Sequence, residues 1–527
     1  NLAETLNLRF VGTRRDRLFK RIDEIIDRLD EKSENTLELI YEYVGILTNY
    51  GQYRRARSLL LRNMGNWTGH SKQKAYFKLA WIDGFRLDFP EESLWTFNRF
   101  LSSNPDDWFE AKGRYYLALL KGKVTEGYDV IEGLLEVARS FPGTTYGRVA
   151  AGKAFRRKTE GAGLSVLDRE LERFKSSLSR TAVRNATWEL FFASFSEGEY
   201  ELALHYLGNM ESFYEVLPPE VTFWRYKTRL RSENYPPQPL RLMSIQEDHP
   251  LDYYSLLAAE KDWSRIKFDL RDTWVDRDME LTNYELEVSE KDLPPAAVER
   301  LETAISLKNH GLYEPALSRL ERLKDLIGTQ DYLYLKSRWE SLSGDYRSSL
   351  SAATELLNWY HSRNQRPPLS VVRTAFPTYY GDQVERVAGK FGMPEALIFA
   401  IIRQESAFSA EAYSTSGARG LMQVMPATAE GIAQDLGMEG FEQDESFDPP
   451  TNIEMGSYYI SLQVSRWEDS RLGIAAYHGG PGNLGKWKEK YGLSDTDLFI
   501  EQIPYSSTQN YVKAVYRNFA VYRALLD

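Results

Sequence analysis

The chain has 527 residues, too many for one hydrophobic core at the usual roughly 100–200 residues per domain, so at least two structural units are expected. With 42% hydrophobic and 27% charged residues it is globular rather than disordered, and no apolar run approaches the roughly 18 residues needed to span a bilayer, so no transmembrane segment is expected. A net charge of -10 without a basic patch argues against nucleic acid as a partner, and the absence of cysteine excludes disulfides and thiolate-held zinc. The sequence starts at Asn1 without a methionine, as it would after removal of an export segment or after trimming by design.

In chain order, four stretches share a Gly, a spacer, a Tyr and then small or apolar residues three and four positions on. They are GQYRRARSLL, GEYELALHYL, GLYEPALSRL and GDYRSSLSAA, starting at Gly51, Gly198, Gly311 and Gly344. The last two are separated by about 34 residues, the period of tetratricopeptide helix pairs. Between the stretches, ATWELFFASF and QDYLYLKSRWESL carry apolar residues at spacings of three and four, which predicts amphipathic helices. Residues 1–370 therefore read as an α-solenoid, a helical-repeat superhelix in which each helix pair buries its face on its neighbours. Proline clusters at Pro218 and Pro219, and at Pro236, Pro237 and Pro239, predict breaks in the array. A further break at Pro367 and Pro368 precedes a shift in texture, and the main domain boundary is placed there.

Residues 371–527 combine Gly-rich loops with helical periodicity in YYGDQVERVAGKF, PATAEGIAQDLG and NIEMGSYYISLQVSRW. In the second of these, Pro426 suits the first helical turn and Gly437 the C-terminal stop. In ALIFAIIRQES the spacing puts Leu397, Ile401, Glu405 and Phe408 on one helical face, so Glu405 belongs to an apolar stripe. Periodicity leaves two readings open: a desolvated carboxylic acid able to donate a proton near neutral pH, or a helix-terminal glutamate paired with Arg403 or capping the next loop. The loop SAEAYSTSGARGLMQVMP follows, with Gly417 and Gly420 able to bring backbone close to a ligand, and with Gln423 and Met425 at a helix entry. Asp448, Pro449 and Asn452 read as a turn leading into a helix N-cap. Six scattered His make no metal-ligand cluster and no phosphate-binding Gly loop precedes a helix, so neither metal nor cofactor is expected.

AIIRQESAF, SGARGLMQVMP, DPPTNIEMGSYYI, AAYHGGPGN and EQIPYSSTQNYV occur in an order and spacing that resemble the soluble lytic transglycosylases, glycoside hydrolase family 23. FPGTTYGRVAAGKAF and HPLDYYSLLAAEKDW resemble helices of that family's superhelix. The resemblance implies an all-α protein whose superhelix is followed by a lysozyme-like catalytic domain. It implies cleavage of the β-1,4 bond between N-acetylmuramic acid and N-acetylglucosamine in peptidoglycan, leaving 1,6-anhydromuramoyl ends. Glu405 would be the sole catalytic acid and base, Ser414, Gln423 and Met425 would line sugar subsites, Gly417 and Gly420 would shape the pocket, and Tyr477 would stand near the reacting centre. Two positions depart from the family pattern: His478 stands where Asn is common, and Ser507 where a Glu is common. His478 is either a loop residue with a structural hydrogen bond or an extra titratable group. The expected partners are glycan strands, with other cell-wall enzymes docking through the repeats, and the expected location is the periplasm. Competing readings are a lysozyme-type hydrolase, with Glu411, Asp448 or Glu454 as second carboxylate, and a non-catalytic peptidoglycan-binding scaffold.

Overall fold

The computed structural model describes residues 13–26, 28–29, 33–159, 163–175, 178–234, 245, 251–260, 293, 295–363, 365–414, 416–467 and 469–526. The prolines at 236, 237 and 239 and both ends of the HPLDYYSLLAAEKDW stretch, 249–250 and 261–263, lie outside these residues. Among the described residues the regular structure is helical, with isolated antiparallel bridges joining Tyr413 to Arg419 and Arg419 to Val424. The chain divides into two compact units, Asn1–Glu215 and Val216–Asp527.

The Gly-spacer-Tyr stretches mark the tips of helical hairpins, two in each unit. In all four the glycine has positive φ, between 72° and 84°, where a side chain would be strained. The next amide N–H then reaches back to a carbonyl five residues earlier: Gln52 to Leu47, Glu199 to Ser194, Leu312 to Leu307 and Asp345 to Glu340, at 2.8–3.0 Å. This bond satisfies a carbonyl that the ending helix would leave orphaned, and the tyrosine then opens the next helix. Five residues after each glycine, Ala56, Ala203, Ala316 and Ser349 are wholly buried, so the small side chains lie at the close approach of the paired helices.

In the second unit one apolar cluster runs from Ala297 through Leu356, Val371 and Phe399 to Tyr522. The boundary expected at residue 370 thus falls inside this unit. Pro368 does cap the short Leu369–Ala375 helix, as the proline signal implies, but Val371 and Val372 of that helix are buried in the cluster common to both sides. Prolines set where a helix ends; burial of apolar faces sets where a compact unit ends. Pro219 acts in the same local way, opening the Pro219–Arg231 helix.

That helix is fastened to the C-terminal part of its unit by buried charges. Lys227 Nζ donates to Asp497 Oδ2 at 2.6 Å and to Asp495, while Arg471 Nη1 donates to Asp497 Oδ1 at 2.7 Å. Asp497 is about 2% exposed, so its charge is tolerable only because both cations face it. Replacing Asp497 with Ala leaves two buried cations without that partner. Unfolding in urea is expected to show a loss of about 3–5 kcal/mol, and a loss below about 1 kcal/mol would mean the network is solvated.

Candidate active site

Glu405 occupies the last turn of the Glu395–Ser406 helix, whose residues Ala396 to Ile402 are all buried. The helix packs along the C-terminal Ser506–Leu526 helix, and from there the Tyr511 hydroxyl donates to Glu405 Oε1 at 2.6 Å. Burial pushes the Glu405 carboxyl up to about 7, and the Tyr511 hydrogen bond, which favours the ionised form, pulls in the opposite direction. Burial raises the hydroxyl pKa values of Tyr511 and Tyr477 well above 10, and the neighbouring Glu405 charge adds to it, so both remain donors.

Arg403 does not pair with Glu405. Its guanidinium donates to the Ala375 carbonyl at 3.0 Å, Asn518 Oδ1 at 3.3 Å and Thr354 Oγ1 at 3.4 Å, and lies over the Phe376 ring. The two residues are two apart on a helix and so face different neighbours. The apolar stripe also stops one turn earlier than its spacing suggests. Ala407 and Phe408 take left-handed φ values of 50° and 63°, so Phe408 is buried beside Tyr379 but is not on the helix.

The loop after this helix is held by a buried amide. Asn452 accepts from the Met422 N–H at 2.7 Å and donates to the Arg419 and Ser446 carbonyls. Gly420, at φ 74°, fits against that amide so closely that a Cβ would lie 2.4 Å from Asn452 Nδ2. Its tight contact is therefore with the Asn452 amide and the Ser446 carbonyl. Gly417, at φ 95°, has space around it. The Ser414 hydroxyl accepts from the Ala418 N–H at 2.9 Å, closing the turn. Gln423, itself at φ 50°, donates through Nε2 to the Ala412 and Gly420 carbonyls, and among the described residues its amide oxygen is left uncommitted. Met425 caps the Pro426–Asp435 helix and is 41% exposed. Asp448 Oδ2 accepts from the Thr451 N–H and hydroxyl, in keeping with an N-terminal turn.

Tyr477 joins this loop to the neighbouring Ser470–Gly479 helix, donating to the Met422 carbonyl at 2.6 Å. His478 follows it in the last turn of that helix, rather than in a loop. Its Nδ1 is 3.0 Å from Thr508 Oγ1, and its ring lies 4.4 Å from the Tyr511 ring at 30°. Partial desolvation lowers its pKa, so it is neutral at neutral pH. Ser507 is exposed on the first turn of the Ser506–Leu526 helix. Glu405, Tyr477 and His478 therefore converge around Tyr511, the one member that motif reading passed over. Its place one helical turn after Ser507 was the available signal. Of the other carboxylates, Glu454 is bound by Arg386 and Lys390, which hold it below the usual range. Among the described residues no group of three or more His, Cys, Asp or Glu is placed to hold a metal ion, and no helix is long and apolar enough to cross a membrane.

A helical domain built around one desolvated glutamate is the class that fold and site define. Residues 382–500 match the family model described as Transglycosylase SLT domain. Over 250 residues the chain is 30% identical to the soluble lytic murein transglycosylase of Escherichia coli K12, a match covering 44% of this chain and 38% of that relative. A putative soluble lytic murein transglycosylase of Haemophilus influenzae is 25% identical over 357 residues, 62% of this chain and 58% of the relative. The chain thus spans about two-fifths of the first relative's length and just under three-fifths of the second's. In fold it is similar to an inactive mutant of the lytic transglycosylase Slt from Pseudomonas aeruginosa, with TM-score 0.58 at 20% identity over 96% of this chain and 84% of that one. The 70-kDa soluble lytic transglycosylase of Escherichia coli gives TM-score 0.50 at 18% identity, over 96% and 90%. The chain carries an SLT domain at residues 382–500 and is similar in sequence, over part of its length, and in fold to soluble lytic transglycosylases.

Because the folded protein holds the Glu405 proton more tightly than an unfolded chain with an ordinary value of about 4.3, native stability falls as pH rises from there to about 7. Glu405→Gln is therefore expected to be more stable than the parent at pH 8, by an amount of order 1–3 kcal/mol, and equal to it near pH 4. Thermal melts at the two pH values check this, and an equal difference at both would mean an ordinary, solvated carboxyl. Tyr511→Phe removes the bond that favours the carboxylate. The alkaline limb of the variant's pH–rate profile is expected to move up by about one unit; a downward shift would contradict the assigned donor.

Proposed function

We propose that the protein is a peptidoglycan lytic transglycosylase, cleaving the β-1,4 bond between N-acetylmuramic acid and N-acetylglucosamine and leaving a 1,6-anhydromuramoyl end. The observation that carries this reading is one half-buried carboxyl at about 7, tied to a tyrosine hydroxyl, within the SLT domain. Such a group is protonated often enough near neutral pH to donate to the glycosidic oxygen. As the resulting carboxylate it takes the proton of the sugar's own C6 hydroxyl, which closes on the anomeric carbon in place of water. The 2-acetamido group assists at that carbon, so the second carboxylate of the usual glycosidase pair is unnecessary.

Tyr511 positions Glu405, and Tyr477 holds the Met422 carbonyl and with it the loop that frames the subsites. Gln423 and Met425 contact sugar through the uncommitted amide oxygen and the exposed thioether, Ser414 and Gly417 shape the turn beside them, and Gly420 supports it from beneath. His478 packs its ring on Tyr511, and Ser507 is exposed one helical turn before it. A hydrolase is less well supported: Glu454 is neutralised by two cations and Asp448 is engaged at a helix start. Residues 1–370 are assigned to repeats that align glycan or dock other wall enzymes, residues 371–527 to catalysis, and the place of action to the periplasm, where the substrate lies.

Incubation with purified peptidoglycan and mass spectrometry of the soluble products tests the reading. Muropeptides lighter by one water than hydrolysis products, absent with Glu405→Gln, are expected. Reducing-end products would replace it with a hydrolase, and intact strands beside an active control enzyme would replace it with a binding scaffold.

A further inference from the structure

In the first unit, the Gly69–Phe85 helix presents His70, Lys74 and Lys78 at successive spacings of four, hence on one face. Opposite, the Asp107–Val124 helix presents Trp108 and Lys112, again four apart. Together they line a cavity of about 360 Å³ whose wall is completed by Phe77 and Phe109. The size suits part of a small organic ligand.

The charges in this cavity are unbalanced. Among the described residues no carboxylate pairs with Lys74, Lys78 or Lys112. Asp106 is the acidic residue on the lining; its Oδ1 accepts from the Phe109 N–H at 2.8 Å as a helix N-cap, and its single negative charge does not balance three lysines. Burial lowers the pKa of Lys78, and repulsion from Lys112 lowers it further; burial lowers that of Lys112 too. Lys74 and Lys78 are like charges one turn apart, an arrangement that destabilises an isolated helix. The Phe77 and Trp108 rings lie 4.6 Å and 5.1 Å from Lys112 Nζ. Their quadrupoles offset part of the ammonium's desolvation but bring no negative charge. The Trp108 side chain is 47% exposed, an open aromatic face at the mouth of a basic cavity.

We propose that this cavity binds a small ligand bearing a carboxylate or phosphate, with the anion between Lys78 and Lys112 and a ring or chain of the ligand on Trp108. The site involves none of the groups around Glu405 and does not depend on the activity proposed for them. If that activity holds, the acidic fragments of the wall are one source of such an anion; phosphoryl compounds are another.

Calorimetric titration of the full chain with N-acetylmuramic acid, N-acetylglucosamine and inorganic phosphate tests the site. The first two share a sugar ring and differ in the lactyl carboxylate. Saturable binding of N-acetylmuramic acid, absent with N-acetylglucosamine and weakened at least tenfold in both Lys78→Met and Lys112→Met, is expected and would assign acidic sugars. Binding of phosphate alone, with the same loss in both variants, would keep the anion site and assign phosphoryl ligands. Both variants should melt at or above the parent temperature without ligand, because each removes a repelling charge, so a lost affinity is not a lost fold. Binding of neither anion, or binding unchanged in the variants, overturns the inference. Because turnover is not the readout, that result leaves the Glu405 chemistry standing, and loss of the chemistry leaves this site standing.

Discussion

Glu405 sits where a carboxylate is poorly solvated, and the neighbouring hydroxyl of Tyr511 is what eases its ionisation there. Burial in the last turn of an apolar helix raises the carboxyl to about 7, and a 2.6 Å hydrogen bond opposes it. Were the carboxyl fully solvated, it would be ionised at neutral pH and useless as an acid. Were it buried without Tyr511, its proton would be held more firmly and it would serve less readily as a base. Around this compromise the rest of the second unit supplies support. Arg403 turns away into its own cage, the Ser506–Leu526 helix delivers Tyr511, and Tyr477 clasps the loop on the other side.

Backbone strain gathers at the same place. Ala407, Phe408 and Gln423 all take left-handed φ values without being glycine, each at a cost of order 1 kcal/mol or more. Buried contacts offset it: Phe408 is seated beside Tyr379, and the loop carrying Gln423 is held by Asn452, with Met422 packed so tightly on Gly456 that no Cβ fits there. The loop geometry is thus imposed by its surroundings, which is why helix-terminal signals alone do not foretell it.

Local signals were legible where the physics is local. Each glycine of the four repeats ends a helix because only glycine enters positive φ cheaply, and each following tyrosine starts the partner helix. Pro426 and Gly437 bracket a helix for equally local reasons, Gly437 at φ 67°. The boundary between compact units was not legible in the same way. The prolines at 367 and 368 lie between two helices, yet the apolar faces on either side are buried in one cluster, while the division after Glu215 falls beside Pro218 and Pro219, a proline pair that looks no different in sequence.

The sequence by itself determined the helices, their hairpin tips and the presence of a carboxylate at the end of an apolar stripe, because these follow from spacing along one chain. It also carried the motif order by which the SLT domain is recognised. Only the tertiary structure decided what that carboxylate is worth. Arg403, two residues away, is spent on Ala375, Asn518 and Thr354, and Tyr511, more than a hundred residues on, becomes the hydrogen-bond partner. A pKa depends on which groups share a volume, and sequence spacing records that only for neighbours within a turn or two of helix.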